Sequence, residues 1–340
     1  MNLEKQKFST YFNNWLYDND GYYTNYKTIG KEGDFYTSVS TSSFFGGSIG
    51  KKIVDTIKNG SLKKDTTILE VGSHHGYLLA DIIQFIYTLK PELLSTLTFA
   101  IVERFPQLQA QQKKYLEDSF GDAIKLEFYD DISEVKLPSA FIVANEIFDA
   151  FPCELLFTNK EGILQQGFVE NHKIAFETCE DENLKEIASK YKVTKGEIGV
   201  GYETFAKHIC NNIKKFEFIT FDYGEKYPRN DFSARIYEEH KVYPLFEENL
   251  ELDKLFAKTD ITYDVNFTHI IDSFEACTKV EFVYQTQLQA LVDFGIIDLL
   301  EMLKDNAGEN VYLRETQKVK TLLEPTGMGE RFKMLNIKNI

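Results

Sequence analysis

Residues 66–77 read Thr66-Thr67-Ile68-Leu69-Glu70-Val71-Gly72-Ser73-His74-His75-Gly76-Tyr77, and Leu78, Leu79, Ile82, Ile83 and Ile86 follow at helical spacing. A short apolar run, a turn with two glycines and then an amphipathic stretch spell a strand, a tight turn and a helix. Such a turn lets backbone N–H groups approach a ligand, and the helix N-terminus behind it favours negative charge. A dinucleotide-binding turn asks for G-x-G-x-x-G, and this one offers only Gly72 and Gly76.

The same rhythm runs outward. Further apolar runs at 97–103, 124–129, 140–144, 216–221, 280–284 and 332–337 read as strands, with a helix over 107–118 after the second. Strands alternating with helices predict an α/β fold with a doubly wound sheet, its ligand site at the carboxyl ends of the strands. Upstream, Phe8, Tyr11, Phe12, Trp15 and Leu16 mark an amphipathic helix that ends in Asp18-Asn19-Asp20-Gly21. Gly30, Gly33, Gly46, Gly47 and Gly50 then flank Asp34-Phe35-Tyr36-Thr37. Between the fourth and fifth strands some 60 residues break the alternation, with hairpin strands over 155–157 and 167–176 and helices near 183–191 and 202–213. The expected organisation is a helical, glycine-rich segment (1–60) packing on the cofactor domain, a cofactor half (61–150), an inserted substrate subdomain (151–214) and a second half (215–340).

The 340 residues carry 38 Lys+Arg against 53 Asp+Glu, a formal net charge of −15. Nucleic acid is a poor partner for that balance, because phosphate neutralisation needs a basic footprint, and an anionic membrane surface is no better. No apolar run approaches the ~18 residues that span a bilayer. The four cysteines, at 153, 179, 210 and 277, form no CxxC pair, and His74-His75 is not at i, i+4, so no metal site is expected. With no secretory h-region and no transit-peptide composition at the start, a cytoplasmic location is the expectation.

Acidic side chains stand at the ends of the strands. Glu103 closes the second, where a carboxylate takes both ribose hydroxyls of an adenosine. Asp130 and Asp131 follow the third, placed to accept from an adenine amine. After the fourth comes Asn145-Glu146-Ile147-Phe148-Asp149-Ala150-Phe151-Pro152. Helix capping accounts for one of its three polar groups but not for all. Glu146 and Asp149, three apart at a helix start, are expected to face one side and match a guanidinium in a bidentate fork. Asp222-Tyr223-Gly224 is expected just beyond the fifth strand, on the substrate side.

Glu70, two residues before Gly72, resembles the E/D-x-G-x-G-x-G turn of class I S-adenosylmethionine methyltransferases, whose acidic group lies near the cofactor's methionine end. The larger pattern resembles the MidA-type methyltransferases, the bacterial relatives of the mitochondrial complex I assembly methyltransferase. It comprises residues 16–23, 33–37, Phe45-Gly46, Glu70-Val71-Gly72, Glu103 with Gln111, and 145–152. Asp222-Tyr223-Gly224, His240, Asp260-Ile261-Thr262, Val265, Phe267, Thr286-Gln287, Gly295-Ile296 and Met328-Gly329 with Phe332 complete it.

The resemblance implies a seven-stranded sheet with an antiparallel last strand and S-adenosylmethionine as cofactor. It implies an arginine-bearing protein substrate, a respiratory complex I subunit in the mitochondrial members. Glu70, Gly72, His74 and Gly76 fall at the methionine end, Glu103 at the ribose, and Asn145, Glu146 and Asp149 at the catalytic edge, with Asp34 nearby. A homodimer stays open. Where the family has Gly-Pro-Gly-Arg-Gly, this chain has Gly72-Ser73-His74-His75-Gly76. The substitution of His74 for a glycine keeps a rival open, a degenerate assembly protein without catalysis. A nicotinamide-dependent oxidoreductase lacks its glycine triplet.

Overall fold

Seven of the runs become strands of one sheet: Thr67–Val71 (β1), Thr98–Val102 (β2), Lys125–Tyr129 (β3), Ala140–Asn145 (β4), Phe216–Glu225 (β5), Val280–Thr286 (β6) and Phe332–Asn339 (β7). The structure is a computed structural model that describes residues 4–24, 37–238 and 241–339. Gly30, Gly33, Asp34 and His240 therefore lie outside the described residues.

The strand order is β6-β7-β5-β4-β1-β2-β3. β1 pairs parallel with both β2 and β4, β3 extends the sheet beyond β2, β5 pairs parallel with β4, and β6 and β7 are antiparallel to each other. β1 and β4 are buried along nearly their whole length, as unbroken apolar runs in a parallel sheet should be. Hydrogen bonding gives the sheet an eighth member, the two-residue strand Val265–Asn266 beside Gly224 and Glu225 of β5. The sheet therefore has eight strands, seven along the main path and this short one beside β5.

The chain divides into two compact units. The sheet unit is Thr37–Ile147, Phe205–Asp222 and Phe274–Ile340; the other takes the chain before Thr37 with Phe148–Thr204 and Tyr223–Ser273. The sequence expectation divides the chain at 60, 150 and 214; these compact units divide at 37, 148, 205, 223 and 274.

In the sheet unit, Ile68, Phe99, Phe141 and Ile219 pack with helices Phe44–Lys58 and Tyr77–Leu89. These two helices meet closely: a Cβ at Gly46 would lie 2.6 Å from the Asp81 Cβ, and one at Gly47 2.6 Å from the Phe85 ring. Glycine is what that spacing requires.

In the other unit, helix Phe8–Tyr17 buries Phe8, Tyr11, Phe12, Trp15 and Leu16, the stripe its 3–4 spacing foretells. Trp15 donates its indole N–H to the Thr259 carbonyl at 2.7 Å, and Gly21 N–H closes the turn onto Asp18 at 2.7 Å. Antiparallel strands Gln6–Lys7, Leu164–Glu170, Cys153–Thr158 and Lys195–Gly199 form its larger sheet, with Lys173–Thr178 on Leu164–Glu170. Arg235–Glu238 forms a smaller one with Lys241–Pro244 and Asp260–Thr262. Among the described residues no helix is long and apolar enough to cross a membrane.

Candidate functional site

β1 has neighbours in both directions, β2 on one side and β4 on the other, so consecutive crossovers leave it to opposite faces. That switch point is where open α/β sheets bind ligands. Val71 sits opposite Ala144, and Asn145 opposite Phe221. Gly72 and Asn145 with Glu146 therefore emerge at the carboxyl ends of β1 and β4, with Asp222 beside them within β5.

Glu70, next to the last residue of β1, is a buried carboxylate, 3% exposed, and accepts from the Ser73 hydroxyl at 2.6 Å. Burial pushes its pKa up to about 7, against the opposing pull of Ser73 and the Leu79 N–H. Asp81, one turn into the next helix, is likewise pushed up to about 7 by burial. Beyond Glu70 the turn places Gly72, His74 and Gly76 at φ 74, 46 and 79. A Cβ at Gly72 would come within 2.8 Å of Ile147 Cγ2, so glycine is needed there for space as well as for angle. His74 takes the left-handed shape with its side chain in place, at a cost of about 1–2 kcal/mol. Its ring meets that of His75 edge-on at 3.9 Å. Burial lowers the His75 pKa.

Glu103, 7% exposed, is held by the Phe105 N–H at 3.1 Å and by Gln112 Nε2 at 3.2 Å. Burial still raises its pKa. Gln112 Nε2 also donates to the His74 carbonyl at 2.6 Å, tying the glycine turn to the carboxylate that follows β2. Asp130 accepts from Gln109 at 2.8 Å. Asp131 caps the short turn Ile132–Glu134 by accepting from the Ser133 N–H at 2.8 Å, and its contacts with Ser133 lower its pKa.

At the end of β4, Asn145 Nδ2 donates to Glu146 Oε1 at 2.8 Å, while its Oδ1 is buried and accepts nothing among the described residues. Glu146 sits at φ 53 and donates its N–H to the Phe221 carbonyl at 2.8 Å. The left-handed residue breaks the chain direction, and only the single turn Phe148–Ala150 follows. The expected helix carrying Glu146 and Asp149 on one face is therefore absent, and the two residues belong to different units. Asp222 is fully buried, and with Tyr223 and Gly224 it lies inside β5 rather than beyond it.

In the other unit, Asp149 is 4% exposed and its carbonyl accepts from the Tyr263 N–H at 3.3 Å. Burial pushes its carboxyl up to about 7, with Arg235 opposing. The Arg235 guanidinium carbon lies 5.1 Å from the centre of the Tyr223 ring. Among the described residues no three His, Cys, Asp or Glu side chains group as a metal site.

Sequence reasoning missed Ser73, Asp81, Gln112 and Arg235. Gln112 had a signal: Leu108, Gln112 and Leu116 are the buried residues of helix Pro106–Phe120, a strict four-residue stripe that passes Gln111 by.

A family model described as "Putative S-adenosyl-L-methionine-dependent methyltransferase" matches residues 48–285. Protein arginine methyltransferase NDUFAF7, mitochondrial, of Xenopus tropicalis is 23% identical over 356 residues, covering 93% of this chain and 78% of that protein. Its Homo sapiens counterpart is 24% identical over 345 residues, covering 92% and 75%. A solved structure from Burkholderia thailandensis, bound to S-adenosyl-homocysteine, superposes with a TM-score of 0.82 at 20% identity, covering 98% of this chain and 88% of that one. At that identity the likeness establishes the fold.

Proposed function

The chain belongs to this family of S-adenosyl-L-methionine-dependent methyltransferases, and from that premise we propose that it methylates an arginine side-chain nitrogen of a protein. The residues at the switch point suit the cofactor. Glu70 and the turn through Gly72, His74 and Gly76 lie where its charged methionine end would sit, and Glu103 with Gln112 where its ribose would. The buried Asn145 Oδ1 accepts nothing among the described residues and is open to a donor from the cofactor. What the cofactor supplies when bound is a methyl group activated by a sulfonium.

The protein's own share is orientation and electrostatics. A guanidinium stays protonated in water, so its lone pair must be localised before it can attack. Glu146, accepting a guanidinium N–H, draws the positive charge toward one nitrogen and leaves another richer in electrons. Asn145 fixes the Glu146 carboxylate through its amide. Asp149, three residues further along the chain, is the second carboxylate of this reading. The arginine-methyltransferase names of the relatives support the acceptor, and the family resemblance extends it to a respiratory complex I subunit.

The Asn145–Glu146 pair is the observation that carries the reading. Glu146→Gln should lower methyl transfer at least about 100-fold, a typical loss for one electrostatic group, while calorimetric affinity for S-adenosylhomocysteine stays within a few-fold. A Glu146→Gln protein that turns over normally would falsify the assignment. The second reading, an assembly protein without catalysis, is favoured by His74 standing left-handed in the cofactor turn. The same titration decides between them, because absence of binding at millimolar ligand would remove the enzyme.

A further inference from the structure

One buried side chain touches both the glycine turn and the carboxylate that follows β2. Gln112 is wholly buried on helix Pro106–Phe120, and its stem runs beside the turn, where a Cβ at Gly76 would stand 3.7 Å from its Cγ. Its amide nitrogen donates to the His74 carbonyl at 2.6 Å and to Glu103 Oε2 at 3.2 Å. Both partners are acceptors, so the amide cannot be turned over: an oxygen in that place would face a carbonyl and a carboxylate. The orientation has a cost, because Gln112 Oε1 is left buried and accepts nothing among the described residues. An apolar side chain would fill the space without that cost, so the glutamine is explained by what its two N–H groups hold.

What they hold is the plane of a carboxylate. Glu103 Oε1 accepts from the Phe105 N–H at 3.1 Å and Oε2 from the Gln112 amide, one chain donor fixing each oxygen. A carboxylate offers about four lone-pair sites, more than these donors occupy, so a fixed Glu103 can still accept from a ligand. Two acceptor oxygens side by side on one fixed group match two neighbouring hydroxyls. Burial raises the Glu103 pKa, and the bonds from Phe105 and Gln112 work against it, toward the ionised form that accepts at both oxygens. Gln109, three residues earlier on the same helix, donates to the Glu103 carbonyl at 2.6 Å and to Asp130 Oδ1 at 2.8 Å, so the backbone beneath the carboxylate is fixed as well.

We propose that Gln112 is a positioning residue that sets selectivity for the ribose: by tying the Glu103 carboxylate to the His74 carbonyl, it aims both oxygens at the vicinal hydroxyls of the cofactor's adenosine. The inference rests on the reading of Glu103 as the ribose acceptor. A Glu103 released from Gln112 is free to turn, and one hydroxyl more or less on the ligand then matters little.

The test is calorimetric affinity of the full chain for S-adenosylhomocysteine and for its 2′-deoxy analogue. The parent should prefer the intact ribose by about tenfold or more, the worth of a hydrogen bond to a charged group. Gln112→Met keeps the reach of the side chain and loses both N–H groups. It should shrink the preference to about threefold or less, with S-adenosylhomocysteine losing affinity and the analogue keeping it. A loss shared equally by the two ligands is what a merely structural residue would give, and it overturns the inference. Gln112→Glu, alike in shape, should lose the preference in the same way, because a carboxylate cannot donate to the two acceptors; it serves if Gln112→Met does not fold. Glu103→Ala separates the two possible failures. If the preference survives Glu103→Ala, or if the parent binds neither ligand or both equally, the reading of Glu103 is wrong and the inference falls with it. If Glu103→Ala abolishes the preference and the Gln112 variants keep it, only the role given to Gln112 is wrong.

Discussion

His74 occupies a position where backbone shape and side chain disagree. The turn from β1 into its helix keeps its glycine-like course through φ 46 at this residue, so the loop path survives the substitution. What the substitution adds is a Cβ and a ring beside the ligand crevice. His74→Gly relieves left-handed strain of about 1–2 kcal/mol but loosens the unfolded chain by a comparable amount, so thermal stability should hardly move. Affinity for S-adenosylhomocysteine should rise several-fold by calorimetry. If affinity does not change, the ring does not reach the cofactor. Glu146 is the second non-glycine residue in this conformation at the crevice, and its backbone is held there by Phe221. Strain kept at two adjacent strand ends is what a preformed site tolerates.

Among the elements, those built on unbroken apolar runs were plain in the sequence: β1, β2 and β4 declare themselves, and so does the amphipathic helix Phe8–Tyr17. Their alternation set the expected ligand side at the carboxyl ends of the strands, and Glu70, Gly72, Glu103 and Asn145 do stand at or next to those ends. Backbone torsions are not written in side-chain patterns, and the left-handed Glu146 therefore defeated the expected helix through Asp149. Strands as short as Arg235–Glu238 carry little local signal either, and Arg235 went unseen. The contact between helices Phe44–Lys58 and Tyr77–Leu89 was half legible, since the glycines were visible but their purpose was not. Gly47→Ala should destabilise the fold by about 1–3 kcal/mol, because its Cβ meets the Phe85 ring at 2.6 Å, with urea denaturation as the measure. A neutral outcome would mean that the helices can part at no cost.

At the scale of the whole molecule, the excess of acid has a consequence for stability. Glu70, Asp81 and Asp149 each have pKa values raised to about 7 by burial, well above their ordinary values. Between those ordinary values and 7 the folded chain holds more protons than the unfolded one, so stability falls as pH rises through that window. Thermal unfolding of the free protein should therefore occur at higher temperature near pH 5.5 than near pH 8. On the proposed reading, which sets Glu70 near the cofactor's charged methionine end, the protection given by S-adenosylmethionine should be larger at pH 8, where Glu70 is ionised. Equal melting temperatures at the two pH values would remove the argument.

The sheet order carries one more consequence. β7 lies between β5 and β6, so the strand of the seven that leaves the ribosome last is an interior one. Until residues 332–339 are made, β5 presents an open edge and β6 has no neighbour through which to join the sheet. The β6 side of this sheet is therefore completed only when synthesis has passed β7, and a chain cut short before Phe332 leaves β6 detached and β5 as an edge.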